Sequence, residues 1–195
     1  MAISYNNNNT KDTLVVCLYG GPGCGKSTTC AGLFAALKQE DVSCEQVLEY
    51  AKDLIWEGNK FKLEDQIYIF GKQNRRTNLV LGQVDVIVTD SPLLLSIIYG
   101  GKHYPEFNAL ILAEYRRLWT MDVFVERTAG RYESKGREQT EEQAKLIDVE
   151  ILDMLDKVGI QPIHVNGTLE NRVDVLKNII IKKIKDRKDN LDLPF

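Results

Sequence analysis

Leu14-Val15-Val16-Cys17-Leu18-Tyr19-Gly20-Gly21-Pro22-Gly23-Cys24-Gly25-Lys26-Ser27 decides the fold. Six apolar residues predict a buried strand, and the eight that follow match the spacing G-x-x-x-x-G-K-[ST]. Each part of that pattern has a physical role. Glycines let backbone N–H groups turn inward around an anion. A helix opening at the end of the loop aims its positive dipole end at the same point. Lys26 has the reach to meet terminal phosphates, and the Ser27 hydroxyl suits magnesium. A glycine-rich turn with a chance lysine is the plain alternative, but every fixed position and both flanks match.

Outward from the loop, helix and strand signals alternate to the end of the chain. Cys30, Leu33, Phe34 and Leu37 recur at helical spacing. A short second strand is expected near residues 46–48, ending at Glu49. A helical stretch follows over about 63–79. Val84 to Thr89 then predict a third strand with Asp90 at its carboxyl end. Residues 92–98 and 107–118 predict helices, and 122–125 a fourth strand. Thr140 and Gln143 form a capping-box pair opening another helix. Residues 162–165 predict a fifth strand, and a final amphipathic helix covers about 169–185. Strands separated by helices imply an α/β domain, its parallel sheet covered on both faces. Ligands in such sheets sit outside the carboxyl ends of the strands.

The chain has 195 residues and a net charge of −3, which suits one compact domain and disfavours a protein that grips long nucleic acid. The expected division is a leader over 1–12, a single domain over 13–188 and a tail over 189–195. Cys17, Cys24, Cys30 and Cys44 form no C-x-x-C pair, so neither zinc nor a disulfide framework is indicated. Packing is their simplest role, with Cys24 placed where the loop can expose it. No stretch is apolar enough to span a bilayer or serve as a signal core, and a reducing cytoplasm is the expected compartment. The basic end, Lys182 to Lys188, reads as a solvated helix face or a nucleic-acid contact.

Several polar residues fall at strand ends. Asp90 suits a magnesium-linked acid, or a helix cap ahead of Ser91-Pro92. Glu49 suits a base that takes or orients an attacking hydroxyl's proton, or a first-turn helix glutamate. Between Glu126 and Glu138, Arg127, Arg131 and Arg137 share one loop with Gly130 and Gly136. Arginine forks match the oxygens of a moving phosphoryl group, and a lid can bring them in while expelling water. A solvated basic loop is the alternative. Gln73, Arg75 and Arg76 suit either an acceptor contact or a solvated helix face. His103 and His164 stand alone, His164 most simply as a structural residue. No Ser-His-Asp arrangement and no N-K-x-D signature is present.

Taken together, the phosphate loop with Thr28-Thr29, Glu49-Tyr50, Thr89-Asp90-Ser91, Glu114-Tyr115-Arg116 and Ile163-His164-Val165 resemble the ribosylnicotinamide-kinase-like group of P-loop kinases. Small phage ATPases share the pattern. The lid arginines also resemble those of nucleoside and nucleoside-monophosphate kinases. The resemblance covers nearly the whole domain, with the phosphate loop its most specific part. It implies a P-loop three-layer α/β sandwich with five parallel strands in the order 2-3-1-4-5. It also implies ATP and Mg2+ as cofactors and transfer of the γ-phosphate to a nucleoside- or nucleotide-like acceptor. Gly21, Pro22, Gly23, Cys24, Gly25, Lys26, Ser27, Thr28, Arg127 and Asn166 are then the nucleotide contacts, with Asn166 near adenine. Ser27 and Asp90 hold the metal. Lys26, Glu49, Asp90, Arg131 and Arg137 carry the chemistry. Deoxynucleoside kinases follow the third strand with Asp-Arg-Ser, where this chain has Asp90-Ser91-Pro92. Two other activities stay open: a kinase of a hydroxymethylated base in phage DNA, and an ATPase with no small acceptor. The compartment would be the host cytoplasm for a phage-encoded chain, and a homodimer stays open.

Overall fold

The computed structural model describes residues 12–100, 105–127 and 140–191. Five parallel strands form its centre: β1 (Leu14–Tyr19), β2 (Cys44–Val47), β3 (Val86–Thr89), β4 (Trp119–Val125) and β5 (Ile163–Val165). Their order in the sheet is β2-β3-β1-β4-β5, as expected from the sequence. Seven α-helices intervene: α1 (Lys26–Gln39), α2 (Tyr50–Trp56), α3 (Gln66–Val80), α4 (Leu95–Gly100), α5 (Pro105–Arg116), α6 (Glu141–Lys157) and α7 (Leu169–Leu191). A 3-10 turn, Lys60–Leu63, leads into α3.

The period of two in β1 explains its full burial. Leu14, Val16 and Leu18 face one side, where they pack with Cys30, Leu33 and Leu37 of α1 and Leu176 and Ile180 of α7. Val15, Cys17 and Tyr19 face the other, against Phe70 of α3, Leu95 of α4, Ile111 of α5 and Ile151 and Leu155 of α6. A strand covered on both faces has no polar side, which is why it reads as an unbroken apolar run. Each fully buried leucine here contributes roughly 1.5–3 kcal/mol of transfer free energy.

Local signals fix several helix ends. Thr140 accepts from the Gln143 backbone N–H at 3.3 Å, and the Gln143 side chain accepts from Thr140 N at 2.8 Å, completing the predicted capping box. Asp65 caps α3 by accepting from Tyr68 N at 3.0 Å. The helix α2 has no periodic pattern of its own; only the alternative reading of Glu49 as a first-turn helix glutamate points to it, and Glu49 is its N-cap. Its seven residues bury only Leu54, so it has no apolar stripe to read. In β4 the strand starts three residues earlier than expected, because Trp119, Thr120 and Met121 pair with Leu14, Val15 and Val16. The last helix runs on to Leu191, into the predicted tail. Its basic end folds back on the domain: the Arg187 guanidinium lies 4.4 Å from the Trp119 ring, and Lys188 pairs with Asp85 at 3.0 Å. Cys24 is 4% exposed, contrary to the exposed position its loop suggested. Its side chain turns into the core with Leu18, Cys30 and Val125. No helix of the described residues is long and apolar enough to cross a membrane.

Candidate functional site

The phosphate loop joins β1 to α1 at the carboxyl edge of the sheet. Gly25 is the N-cap of α1, with φ +98°, and no side chain caps the helix. The first N–H groups of α1 are therefore left for an anion at the loop. Lys26 lies across the loop, its Nζ donating to Gly20 O at 2.6 Å and Gly21 O at 3.2 Å. Ser27 and Thr28 are exposed at the first turn.

Two close approaches explain why the loop needs glycine. A Cβ on Gly21 would lie 2.5 Å from Ala144 O and 2.7 Å from Asp148 Oδ1, so α6 can seat against the loop only without a side chain there. A Cβ on Gly25 would lie 2.9 Å from the Arg172 guanidinium, besides having to adopt the left-handed backbone.

Two carboxylates come to this edge from neighbouring strands. Asp90 follows β3 and is 3% exposed, and its Oδ1 is buried with no hydrogen-bond partner. It caps no helix: α4 begins at Leu95, and Ser91 N donates instead to Thr89 Oγ1 at 3.1 Å. A buried carboxylate oxygen without a donor is the chemistry that suits a cation, so Asp90, ending the strand beside β1, fits magnesium together with the Ser27 hydroxyl at the start of α1. Among the described residues no group of three or more acidic, histidine or cysteine ligands is present.

Glu49 is the N-cap of α2, yet its side chain makes no capping bond. Burial pushes its carboxyl above the ordinary range, Lys26 pulls it back and Asp90 pushes it further up. Lys26 and Asp90 thus both act on the Glu49 carboxyl. The backbone around Glu49 is held by a clamp from α3. The buried Gln73 side chain accepts from Tyr50 N at 3.0 Å and donates to Leu48 O at 3.3 Å, while Arg76 donates to the same carbonyl at 3.1 Å. Arg76 also pairs with Asp53 and lies over the Tyr50 ring. Gln73 and Arg76 are therefore occupied in holding this turn, and Arg75 is exposed. Tyr99 of α4 is half-exposed beside this edge. The covered part of the ring, then the charges of Glu49, Cys24 and Asp148, push its hydroxyl up to about 12, so it stays protonated.

Arg127, at the end of β4, reaches the loop, but its guanidinium is already engaged. Nε donates to Asp148 at 3.0 Å, NH1 donates to Pro22 O at 2.8 Å, and NH2 lies 2.9 Å from the same Asp148 oxygen without hydrogen-bond alignment. Asp148 in turn accepts from Gly21 N. Asn166, after β5, is exposed and donates to Glu126 at 3.1 Å, and His164 approaches the other oxygen of Glu126 at 3.2 Å. Arg131, Arg137, Gly130, Gly136 and His103 lie outside the described residues. The structure thus gathers Lys26, Ser27, Glu49, Asp90 and Arg127 at one edge. Asp148, Arg172 and Tyr99 join them without any signal in the local sequence, since each arrives from a distant helix.

A parallel sheet in this order, a glycine loop between the central strand and its helix, and an acid ending the neighbouring strand define a P-loop nucleoside-triphosphatase fold. The chain belongs to the family described as "AAA domain", whose match covers residues 15–172. Its fold is similar to a crystal structure of APE1195 at 19% identity and TM-score 0.53, covering 89% of this chain and 98% of that one. It is also similar to NadR protein solved in complex with NR, at 16% identity and TM-score 0.64, covering 87% of this chain and 52% of that one. NadR solved with NAD and AMP-PNP gives 16% identity and TM-score 0.64, covering 86% and 49%. This chain spans about half the length of both NadR structures. No curated protein matches it by sequence.

Proposed function

We propose that this protein is an ATP- and magnesium-dependent phosphotransferase that moves the γ-phosphate to a hydroxyl or phosphate of a nucleoside- or nucleotide-like acceptor. The observation that carries the reading is Glu49 following β2, held by the Gln73 clamp on Leu48 and Tyr50, with a carboxyl that burial and Asp90 raise and Lys26 lowers. A second carboxylate with a raised affinity for protons, held by a dedicated clamp, suits proton removal from an attacking hydroxyl, and an ATPase would use such a group on water. The similarity of fold to a NadR structure with NR and one with AMP-PNP agrees with this class of ligands.

In this mechanism the loop amides and Lys26 hold the β- and γ-phosphates. Ser27 and Asp90 would hold magnesium, which supplies charge neutralisation of the phosphates when bound. Glu49 takes the proton of the acceptor hydroxyl. That oxygen bonds to the γ-phosphorus as the bond from phosphorus to the β–γ bridging oxygen breaks, and ADP leaves with the freed electron pair. Tyr99, a neutral donor near Glu49, orients the acceptor. Arg131 and Arg137 supply lid charge, Arg127 braces the loop at its lid side, and Asn166 lies toward the adenine.

The test is a screen of nucleosides, nucleotides and hydroxymethylated DNA for transfer of labelled γ-phosphate, with Lys26→Ala as the inactive control. Transfer to a small acceptor is the expected result. ATP turnover that no acceptor changes would overturn the kinase reading, and transfer only to DNA would reassign the acceptor.

A further inference from the structure

Arg172, on the first turn of α7, is a charged residue in an unusual position. It is 8% exposed, and among the described residues no carboxylate pairs with it. Its Nε donates to Thr168 O at 3.4 Å and its NH1 to Cys24 O at 3.4 Å, both long and both to neutral carbonyls. Burial pulls its pKa down from the usual guanidinium value, as expected where no acid offsets the loss of water. A buried charge without a partner is costly, and structures retain one where a charge is supplied from elsewhere.

The position says what supplies it. The guanidinium lies against the backbone of Cys24 and Gly25, on the residues that turn the phosphate loop into α1. Gly25 has no side chain to intervene, so the cation approaches the loop closely from the α7 side. Cys24 O turns toward Arg172, so the N–H of the same trans peptide, that of Gly25, points the opposite way. Lys26 approaches the same loop by way of Gly20 and Gly21, so the two cations bracket it.

We propose that Arg172 is a charge-supplying positioning residue for the polyphosphate chain of the bound nucleotide, acting through the loop backbone, and that the nucleotide is its counter-ion. This rests on the phosphate-binding reading above. It adds a second cation that the motif does not contain. A unit charge acting over about 12 Å at an effective dielectric constant of about 20 changes affinity by about tenfold. The effect scales with ligand charge, so it strengthens from adenosine through ADP to ATP.

Two substitutions separate this role from a structural one. Arg172→Met keeps the apolar stem and removes the charge, and Arg172→Lys keeps a charge on a similar stem. Thermal unfolding is followed with no nucleotide, with adenosine, with ADP and with ATP, and affinities are taken from titrations. If Arg172 serves the phosphates, Arg172→Met unfolds at or above the parent temperature without ligand, because a costly buried charge is gone. It then gains less than the parent from ATP, binds ATP about tenfold more weakly, and loses discrimination between ATP and adenosine. Arg172→Lys keeps most of both. If Arg172→Met unfolds at a lower temperature without ligand and gains as much from ATP as the parent, Arg172 is a packing residue and the proposal fails. Should Arg172→Met not fold, Arg172→Gln retains a donor toward Cys24 O and gives the same two contrasting outcomes. A parent protein that gains nothing from ATP overturns the phosphate-binding reading itself. A parent that gains while the variants gain equally overturns only the role of Arg172.

Discussion

Asp148 and Arg127 form an ion pair whose other contacts both end on the phosphate loop: Asp148 on Gly21 N and Arg127 on Pro22 O. The pair is largely buried, with side-chain exposures of 17% and 10%. Removing one partner of such a pair leaves the other charge without compensation. Asp148→Ala should therefore cost about 3 kcal/mol of stability, measured by urea unfolding. Adding Arg127→Met should recover part of that loss. Additive losses in the double variant would mean that the two residues do not act together.

Glu49→Gln should slow transfer by about a hundredfold to ten-thousandfold while ATP affinity stays near that of the parent. The pH profile sharpens this. Burial and Asp90 raise the Glu49 pKa, and only its ionised form accepts a proton. The parent rate should fall on acidification through a pKa above the ordinary glutamate range. Asp90→Asn removes one raising influence, so its residual activity should show that limb at lower pH. An unmoved limb would separate Glu49 from the rate-limiting ionisation.

Magnesium titrations address Asp90 directly. In the proposed mechanism its unpartnered Oδ1 serves the metal or a metal-bound water. Asp90→Asn should raise the magnesium concentration needed for half-maximal turnover and lower the plateau. Curves that overlay the parent's would leave Asp90 with a structural role.

Asp122 gives a stability test away from the site. Burial raises its pKa, and hydrogen bonds from Tyr115, Thr120 and Tyr19 only partly offset this. A folded-state pKa above the unfolded value means that the folded state holds the proton more tightly. That contribution is complete below the unfolded value near about 4. It is lost as pH rises through the folded value. Asp122→Asn should flatten this decline, so the variant gains on the parent between acidic and neutral pH in urea unfolding. A parent that gains on the variant over that range would show that the hydroxyl donors win.

What the sequence made legible was local or periodic. The loop from Gly20 to Ser27 and the Thr140–Gln143 capping box follow from short patterns, the strand order comes only with the family resemblance, and the structure reproduces the box and the order as expected. The loop carries its own glycines and its own cation, so its geometry is encoded within eight residues. What escaped was long-range. Asp148 is 127 residues from the amide it holds, and Arg172 is 148 residues from Cys24. Nothing in the spacing of either helix marks those side chains. Gln73 stood out as a polar residue, but its clamp on Leu48 and Tyr50 is a tertiary contact. α2 carries no periodic pattern because a seven-residue helix with one buried side chain depends on its neighbours for stability.

Cys24 carries a consequence of its own. Its sulfur occupies the space that a side chain on Gly20 would need, 2.6 Å from where that Cβ would stand. The thiol is thus shut in by the very curl of backbone that faces a ligand. An alkylating reagent can reach it only while that curl is undone, so the rate of labelling counts how often the loop breathes. The chain carries a built-in gauge of its most important turn, one that needs no dye and no engineered probe. A ligand that seats in the loop should silence it, and the degree of silence ranks ligands by how firmly each one closes the turn.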